Sequence, residues 1–226
     1  MNLATIQHVA NSSGGILYMM ALMLMVALTV AIERSWYLRK VIMQGNQIMG
    51  QLESQSHPES PLAESFGESY DQLPHVKVLA VAIKHDLAHD FDRISDKLDE
   101  SIMREAPTID KFLWILDTII TMAPLLGLLG TILGMFNAFQ VLGDAGSAPT
   151  KVTGGVAEAL LATAFGLIIA IIGLFFFNAL NNRVRVIMHQ LETLKMMLLN
   201  RMYLHYHDAA NVDSSKVVSE LKMRAA

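Results

Sequence analysis

The hydrophobic positions of this chain are gathered into three long stretches separated by polar segments. The stretches cover residues 15–32, 112–142 and 156–180. Each is close to or longer than the roughly 20 helical residues that cross about 30 Å of hydrocarbon. Because each is apolar around its whole circumference, burial in a water-soluble bundle is the weaker interpretation. We therefore predict an all-α membrane protein with three transmembrane helices.

The polar segment 33–111, between the first two stretches, carries a helical pattern of its own. Residues 51–74 are rich in Ser, Glu, Gly and Pro and are predicted to form a linker. From His75 to Glu105 apolar residues recur every three or four positions, which is typical of an amphipathic helix. They are Leu87, Phe91, Ile94, Leu98 and Ile102. A further helix is predicted to begin beyond Pro107 and to continue into the second span.

The segment after the third span, residues 181–226, is predicted to be an amphipathic helix and tail. Apolar residues repeat there at steps of four and three, the spacing of a coiled-coil helix. They are Leu180, Val184, Ile187, Leu191, Leu194 and Leu198. Such a face needs a partner helix, so we expect long cytoplasmic helical extensions below the membrane.

The distribution of Lys and Arg predicts the orientation. Residues 33–111 hold nine and the tail after Leu180 holds seven, but the loop 143–155 holds only Lys151. Basic residues near helix ends stay on the cytoplasmic side. Residues 1–14 and the loop are therefore predicted to be periplasmic, and the other two polar segments cytoplasmic. The aromatic residues expected at the cytoplasmic interface are Trp36, Tyr37 and Trp114.

Composition narrows the functional classes. The net charge of -4 and the pI near 6.0 indicate no broad basic surface, so we expect no nucleic-acid partner. The absence of cysteine excludes thiolate metal ligands and a cysteine nucleophile. No phosphate-binding glycine loop or hydrolase motif occurs, so we expect neither an enzyme nor a cofactor. His75, His85 and His89 superficially suggest a metal site, but a solvated polar helix face explains them better.

The second and third stretches differ from the first in being rich in small residues. In lipid, small residues let helix backbones approach closely. On the second stretch the predicted face consists of Ala123, Gly127, Thr131, Gly134 and Ala138. On the third it consists of Glu158, Ala162, Gly166, Ala170 and Gly173. This pattern predicts that the two helices pack against each other.

Three polar residues on these stretches are candidates for an ion pathway. Thr131 and Thr163 are predicted at similar depth, roughly 10 to 15 Å from the outer surface at 1.5 Å per residue. Glu158 is the one carboxylate of the two small-residue faces, and an intramembrane acid usually faces a bundle interior or a water-filled cavity. Two plainer interpretations stay open. Each hydroxyl could bond its own helix, and Glu158 could lie among headgroups near a helix N-terminus.

Two segments carry a resemblance to a known family. Residues 123–131, Ala-Pro-Leu-Leu-Gly-Leu-Leu-Gly-Thr, and residues 155–167, Gly-Val-Ala-Glu-Ala-Leu-Leu-Ala-Thr-Ala-Phe-Gly-Leu, closely resemble the ExbB/TolQ family. The flagellar stator proteins MotA and PomA are its distant relatives. The resemblance extends to the three-helix topology and the large cytoplasmic segment. The chain departs from the family pattern at Thr153-Gly154-Gly155 and at Ala170-Ile171-Ile172-Gly173.

The resemblance implies an assembly and a site. Family members form a homo-oligomer, typically a pentameric ring in the bacterial inner membrane, around a dimer of single-span ExbD-like or TolR-like partners. Proton flow past a titratable Asp of the partner then drives a TonB-like protein. By position, Glu158 corresponds to the motif acid of the pore, and Thr131 and Thr163 to its polar lining. Pro124 corresponds to the motif proline, and Gly127, Gly134, Ala162 and Gly166 to helix packing positions.

The sequence therefore leaves three alternative functions as expectations. The first is an ExbB-type subunit that energises import of iron chelates, haem or cobalamin through outer-membrane receptors. The second is a TolQ-type subunit of the Tol-Pal envelope system. The third is a passive channel or scaffold without a motor partner. A four-span flagellar stator fits less well because this chain has three spans. No residue decides between H⁺ and Na⁺.

Overall fold

The computed structural model describes residues 15–54, 73–84, 91–143 and 149–224. Within these ranges the regular structure is entirely α-helical, which confirms the predicted all-α class. The helices, in chain order, are α1 (Ile16–Ser54), α2 (Pro74–Lys84), α3 (Phe91–Ile109), α4 (Leu113–Gly143) and α5 (Pro149–Arg224).

Three of the helices are long and apolar enough to cross a membrane. The qualifying segments are Ile16–Ser54, Leu113–Gln140 and Val152–Tyr203. Large apolar side chains on them are exposed at the surface of the single chain, among them Leu125 (64%) and Phe175 (72%). Such exposure is expected where lipid or a neighbouring helix replaces water. The prediction of three apolar spans is thus confirmed.

Several helix ends differ from the sequence-based expectation. Pro74 is the first residue of α2, a position where a missing N–H costs nothing. Of the helix expected from His75 to Glu105, the described parts belong to α2 and α3, and residues 85–90, with Leu87, lie outside the described residues. Helix α3 continues through Pro107 to Ile109, and the helix expected beyond Pro107 is confirmed as α4, which begins at Leu113. The helix of the third span begins at Pro149, inside the predicted loop 143–155.

The turn between α3 and α4 has an unusual backbone. Phe112 has a φ of 68°, a left-handed conformation that is strained for a residue with a bulky side chain. The guanidinium carbon of Arg34 lies 5.1 Å from the centre of the Phe112 ring and 5.0 Å from that of Tyr37. Arg34 is only 3% exposed. These cation–π contacts join the end of the apolar part of α1 to the start of α4.

Contacts within the chain define two units, which we describe separately. The first comprises Met1–Tyr37 and Lys111–Asn182, and the second comprises Leu38–Asp110 and Arg183–Ala226. The first contains the apolar segments of α1, α4 and α5. The second contains α2, α3 and the polar lengths of α1 and α5.

The second unit is a helical bundle around an aliphatic core. Burying a Leu or Ile side chain fully contributes about 1.5–3 kcal/mol relative to leaving it exposed. The aliphatic residues of this unit with at most 2% exposure are Leu38, Val41, Ile48, Leu52, Val78, Leu79, Leu98, Ile109, Ile187, Leu191 and Leu194. This confirms that the coiled-coil spacing of α5 marks a buried face, at Ile187, Leu191 and Leu194 above all. The other helices of the unit are its partners.

Polar contacts link the helices of this unit to one another. Lys77 of α2 donates to both carboxylate oxygens of Glu105 of α3, at 2.8 and 2.9 Å. Gln190 of α5 donates through Nε2 to Asn46 Oδ1 of α1 at 2.8 Å. His75 of α2 is fully buried. The prediction that His75 lies on a solvated face is therefore wrong, because Gly45 of α1 leaves space for its ring.

Candidate functional site

The small residues of α4 and α5 bring the two helices into direct, antiparallel contact. We call this contact the small-residue interface and define it by the pairs Ile120–Gly173, Gly127–Gly166, Gly134–Ala159 and Ala138–Gly155. The first three pairs advance by seven residues along α4 and retreat by seven along α5. A seven-residue repeat of contacts is typical of helices that wrap around each other with a left-handed twist. The predicted packing of these two helices is confirmed.

The backbones approach most closely at Gly127 and Gly166. A Cβ atom added to Gly166 would stand 2.5 Å from the carbonyl oxygen of Ala123, and one added to Gly127 would stand 3.0 Å from that of Ala162. Both neighbours are backbone atoms, which cannot move aside as a flexible side chain can. Glycine is required at these positions for space, since neither has an unusual φ.

Thr163 lies at this point of closest approach and forms a hydrogen bond between the helices. Its hydroxyl donates to the carbonyl oxygen of Gly127 at 3.0 Å. The residue is partly buried. The alternative that Thr163 bonds only its own helix is wrong, because the acceptor belongs to α4.

Thr131 behaves differently. Its hydroxyl donates to the carbonyl of Leu128, one turn back in the same helix, at 2.7 Å. The residue is 8% exposed. For Thr131 the plainer interpretation, a hydroxyl bonded to its own helix, describes the contact in this chain.

Glu158 lies one residue away from the line of contact. Ala159, and not Glu158, packs against Gly134, and Glu158 is half-buried. Of the expected face of Glu158, Ala162, Gly166, Ala170 and Gly173, the contacts with α4 include Ala162, Gly166 and Gly173. A four-residue step drifts around a helix, whereas the seven-residue step from Gly173 through Gly166 leads to Ala159.

Pro124 lies inside α4 and half-buried, one turn before Gly127. A proline has no N–H, so the carbonyl of Ile120 loses its helical donor. This missing hydrogen bond lies between the Ile120–Gly173 and Gly127–Gly166 contacts.

The predicted site residues thus fall into two groups. The packing positions Gly127, Gly134, Ala162 and Gly166 all lie in the small-residue interface. The structure brings Thr163 to the same place and puts Thr131 close by. It leaves Glu158 beside the interface. An ion-pathway role for these three polar residues stays a prediction.

Sequence reasoning missed two features. Gly155 belongs to the small-residue interface through its contact with Ala138, and the seven-residue spacing of small residues could have revealed Ala159. Arg34 is a buried cation held by aromatic rings, for which the sequence offers no specific signal. Among the residues whose positions are described, no group of three or more His, Asp or Glu could hold a metal ion. His85 and His89 lie outside the described residues.

Comparison with known proteins agrees with this geometry. The profile of the MotA/TolQ/ExbB proton channel family matches residues 71–193, which include α4, the small-residue interface and most of α5. The ExbB-like 3 protein of Synechocystis sp. is 32% identical over 158 residues, 68% of this chain and 74% of the relative.

Two further relatives match shorter segments. The biopolymer transport protein ExbB of Aquifex aeolicus is 37% identical over 108 residues, 47% of this chain and 72% of the relative. The Tol-Pal system protein TolQ of Haemophilus influenzae is 39% identical over 85 residues, 37% of each chain. With a family match over more than half of its length and three apolar spans, the chain is a membrane protein that belongs to the MotA/TolQ/ExbB proton channel family.

Proposed function

We propose that this chain is the proton-conducting subunit of an ExbB-type motor in a bacterial inner membrane. The motor uses the proton motive force to energise a TonB-like protein for import through outer-membrane receptors. The observation that carries the proposal is the small-residue interface, which holds the Thr163 hydroxyl between two family-matched spans. The orientation, with the N-terminus periplasmic and the C-terminus cytoplasmic, follows from the distribution of Lys and Arg.

The proposed assembly is a ring of identical chains, five by the family resemblance, whose α4 and α5 surround a central pathway. Two spans of one chain cannot enclose a pore, whereas several copies can. Exposed apolar side chains on α4 and α5 supply surfaces for neighbouring copies and lipid, for instance Phe136, Phe139 and Ile171. A slender ExbD-like partner, present as a dimer of single spans, occupies the centre.

The partner supplies a titratable carboxyl group in this proposal. One carboxylate of this chain, Glu158, lies too near the outer start of the span to carry protons across alone. Neutralising the partner's carboxylate removes the cost of holding a charge in a dry environment and lets the partner move relative to the ring. A membrane potential of 100 mV supplies about 2.3 kcal/mol per charge, so several protons can drive one mechanical step.

Co-expression with a candidate single-span partner tests the proposal. Native mass spectrometry is expected to find several copies of this chain with a partner dimer. Partner-dependent proton flux is expected in liposomes made from the complex. Glu158→Ala and Thr163→Val are expected to abolish partner-driven transport while the oligomer stays assembled. Retained transport in both variants refutes the assigned pathway.

A hydroxyl of the first span provides the matched control. Thr29 donates to the carbonyl of Met25 at 2.8 Å and is exposed on α1. Thr29→Val removes a similar hydroxyl away from α4 and α5, and transport is expected to persist. Collapsing the proton or the sodium gradient separately decides which ion flows. A pore that leaks without any partner favours the passive-channel alternative.

The TolQ-type function is the second candidate, because a TolQ relative matches 37% of the chain. The ExbB-type function is favoured because the relatives named ExbB or ExbB-like match longer segments, up to 68% of the chain among those described above. Complementation separates the two. Rescue of TonB-dependent uptake supports the ExbB type, and rescue of envelope integrity without uptake supports the TolQ type.

A further inference from the structure

Phe112, in the turn before α4, holds a backbone conformation that its side chain disfavours. Its φ is 68°, and among the described residues it is the one non-glycine residue with a positive φ. A left-handed conformation lowers the population of an ordinary residue by about 5- to 30-fold. Strained residues of this kind persist only where their surroundings hold them in place. The contacts of the Phe112 side chain therefore have to offset the backbone strain.

A buried cation from another helix holds the ring of Phe112. The guanidinium carbon of Arg34, on α1, lies 5.1 Å from the centre of the Phe112 ring and 5.0 Å from that of Tyr37. The Arg34 side chain is 4% exposed, and a cation is attracted to an aromatic ring more strongly when water is excluded. The Nε of Arg34 forms no hydrogen bond with any described residue. The two rings therefore contribute directly to holding this charge.

Two other charged groups stand near this contact, but both are exposed. A carboxylate oxygen of Glu33 lies 3.3 Å from the Nε of Arg34, and the Glu33 side chain is 55% exposed. The Nζ of Lys111 lies 4.8 Å from the centre of the Phe112 ring, and Lys111 is exposed. Water weakens ion pairs and cation–π contacts at exposed sites. Arg34 is therefore the stronger holder of the Phe112 ring.

The conformation of Phe112 determines how the second span begins. The carbonyl oxygen of Phe112 accepts a hydrogen bond from the N–H of Ile115 at 3.1 Å, so Phe112 lies at the cap of α4. Leu113 and Leu116, which follow it, are 6% and 0% exposed. A change of φ at Phe112 would turn the chain that follows and displace these buried side chains. The start of α4 is therefore fixed only while Phe112 stays left-handed.

We propose that Arg34 and the rings of Tyr37 and Phe112 form a latch that fixes the start of the second span. In the closed state the guanidinium holds the Phe112 ring and the backbone stays left-handed. In the open state the ring is released and the backbone of Phe112 relaxes. The contact with Arg34 favours the closed state, and the strain of the backbone favours the open one. Arg34 is thus a positioning residue, which acts on α4 through Phe112.

A pair of variants at position 112 separates this arginine latch from ordinary packing. Phe112→Ala removes the ring but keeps a residue that disfavours a positive φ, so the first turn of α4 is expected to open more often. Phe112→Gly also removes the ring, but glycine adopts a positive φ without strain, so the turn is expected to stay closed. Packing alone predicts the opposite order, because glycine is smaller and is the poorer helix former.

Amide hydrogen exchange of residues 115–119 measures the opening. The full chain is placed in lipid nanodiscs and followed by mass spectrometry, because exchange reports how often a helix turn opens. Exchange is expected to be about 5- to 30-fold faster in Phe112→Ala than in Phe112→Gly, the population ratio that corresponds to the backbone strain. No partner protein or transport activity is needed, so the result does not depend on the proposed function.

Variants of the cation test the other half of the latch. Arg34→Met keeps an apolar stem without the charge and is expected to speed exchange of residues 115–119 by about 3- to 30-fold. With glycine already at position 112, the same change is expected to alter the rate by less than about threefold, because neither ring nor strain remains. Glu33→Gln removes the nearby carboxylate, leaves the stack in place and is expected to have no effect.

Three results would overturn the inference. The first is exchange in Phe112→Gly that is as fast as in Phe112→Ala, or faster. The second is an effect of Arg34→Met that is equally large with glycine or phenylalanine at position 112. The third is an effect of Glu33→Gln that equals that of Arg34→Met, which would assign the contact to the ion pair. If Arg34→Met does not fold, the two variants at position 112 still decide, since both retain Arg34.

Discussion

Gly45 of α1 and the ring of His75 of α2 are packed so tightly that no side chain fits between them. A Cβ atom at position 45 would stand 2.5 Å from both Cε1 and Nε2 of His75, and 2.9 Å from Oε1 of Gln190. Within the described residues, neither ring nitrogen meets the geometry of a full hydrogen bond. Gly45 therefore creates the space in which a polar ring is buried.

Gly45→Ala is expected to destabilise the second unit by about 1–2 kcal/mol. Overpacking a buried site costs about 1–3 kcal/mol. The higher helix propensity of alanine compared with glycine offsets part of this loss. Gly50, on the same helix, has nothing within 4 Å of an added Cβ, so Gly50→Ala is expected to be neutral or to stabilise by up to about 1 kcal/mol. The midpoint of thermal unfolding in detergent measures both effects.

A double variant checks the cause of this loss. If the His75 ring is the obstacle, the double variant Gly45→Ala/His75→Ala loses less stability than the sum of the two single losses. The smaller side chain at position 75 leaves room for the added methyl group at position 45, and that methyl group fills part of the cavity. Fully additive losses would show that Gly45 does not act through His75.

The buried His75 should make the folded protein sensitive to mild acid. Burial lowers the pKa of His75 from 6.5 to about 4, and the nearby carboxamide of Gln190 opposes this shift only in part. The unfolded chain takes up this proton near pH 6.5, whereas the folded chain does so only near pH 4. Stability is therefore complete above pH 6.5 and falls by up to about 3 kcal/mol as the pH drops to 4.

Unfolding midpoints at a series of pH values test this expectation. His75→Leu removes the titrating ring and is expected to flatten the decline between pH 6.5 and 4. His189 is an exposed histidine of α5, with 83% of its side chain accessible, and His189→Leu is expected to leave the decline as it is. An equally steep decline in His75→Leu would assign the effect to other groups.

Packing between the second and third spans should depend on Gly166 far more than on Gly154. An added Cβ at Gly166 meets the backbone oxygen of Ala123, whereas Gly154 has nothing within 4 Å. Gly166→Ala is expected to separate α4 from α5 and to lower the free energy of unfolding by about 1–3 kcal/mol. Gly154→Ala is expected to have little effect. Equal thermal stability of both variants in detergent would contradict the close approach of the backbones.

Removing Lys77 from its ion pair with Glu105 should cost more stability than removing the charge of Glu105. The Glu105 side chain is 11% exposed and that of Lys77 is 43% exposed. Lys77→Met leaves a buried carboxylate without its cation and is expected to cost about 2–3 kcal/mol. Glu105→Gln leaves an ammonium group that water can reach and is expected to cost less than about 1 kcal/mol.

An exposed salt bridge in α3, the helix of Glu105, provides the reference for how much stability such a pair contributes. Arg104 and Glu100 of α3 form a salt bridge at 2.6 Å with both side chains largely exposed. Arg104→Met is expected to change stability by less than about 0.5 kcal/mol, as is usual for a hydrated pair. If Lys77→Met costs no more than Arg104→Met in thermal unfolding, burial does not strengthen the Lys77–Glu105 contact.

The sequence alone determined the features that depend on composition and periodicity. The apolar stretches predicted three spans, and the spacing of Leu98, Ile187 and Leu191 predicted buried helix faces, because a helix repeats its environment every three to four residues. The small residues of the second and third stretches predicted that those helices meet. The family could be recognised from two short segments for the same reason, since close helix packing restricts which residues fit.

The tertiary structure decided what depends on the register of one helix against another. A shift of one residue turns a side chain by about 100°, so residue type could not tell that Ala159, and not Glu158, contacts Gly134. Whether a threonine bonds its own helix or the next one depends on where a carbonyl happens to lie. Thr163 reaches Gly127, and Thr131 does not leave its own helix. The burial of His75 likewise followed from the gap at Gly45, which lies thirty residues away along the chain and next to it in space.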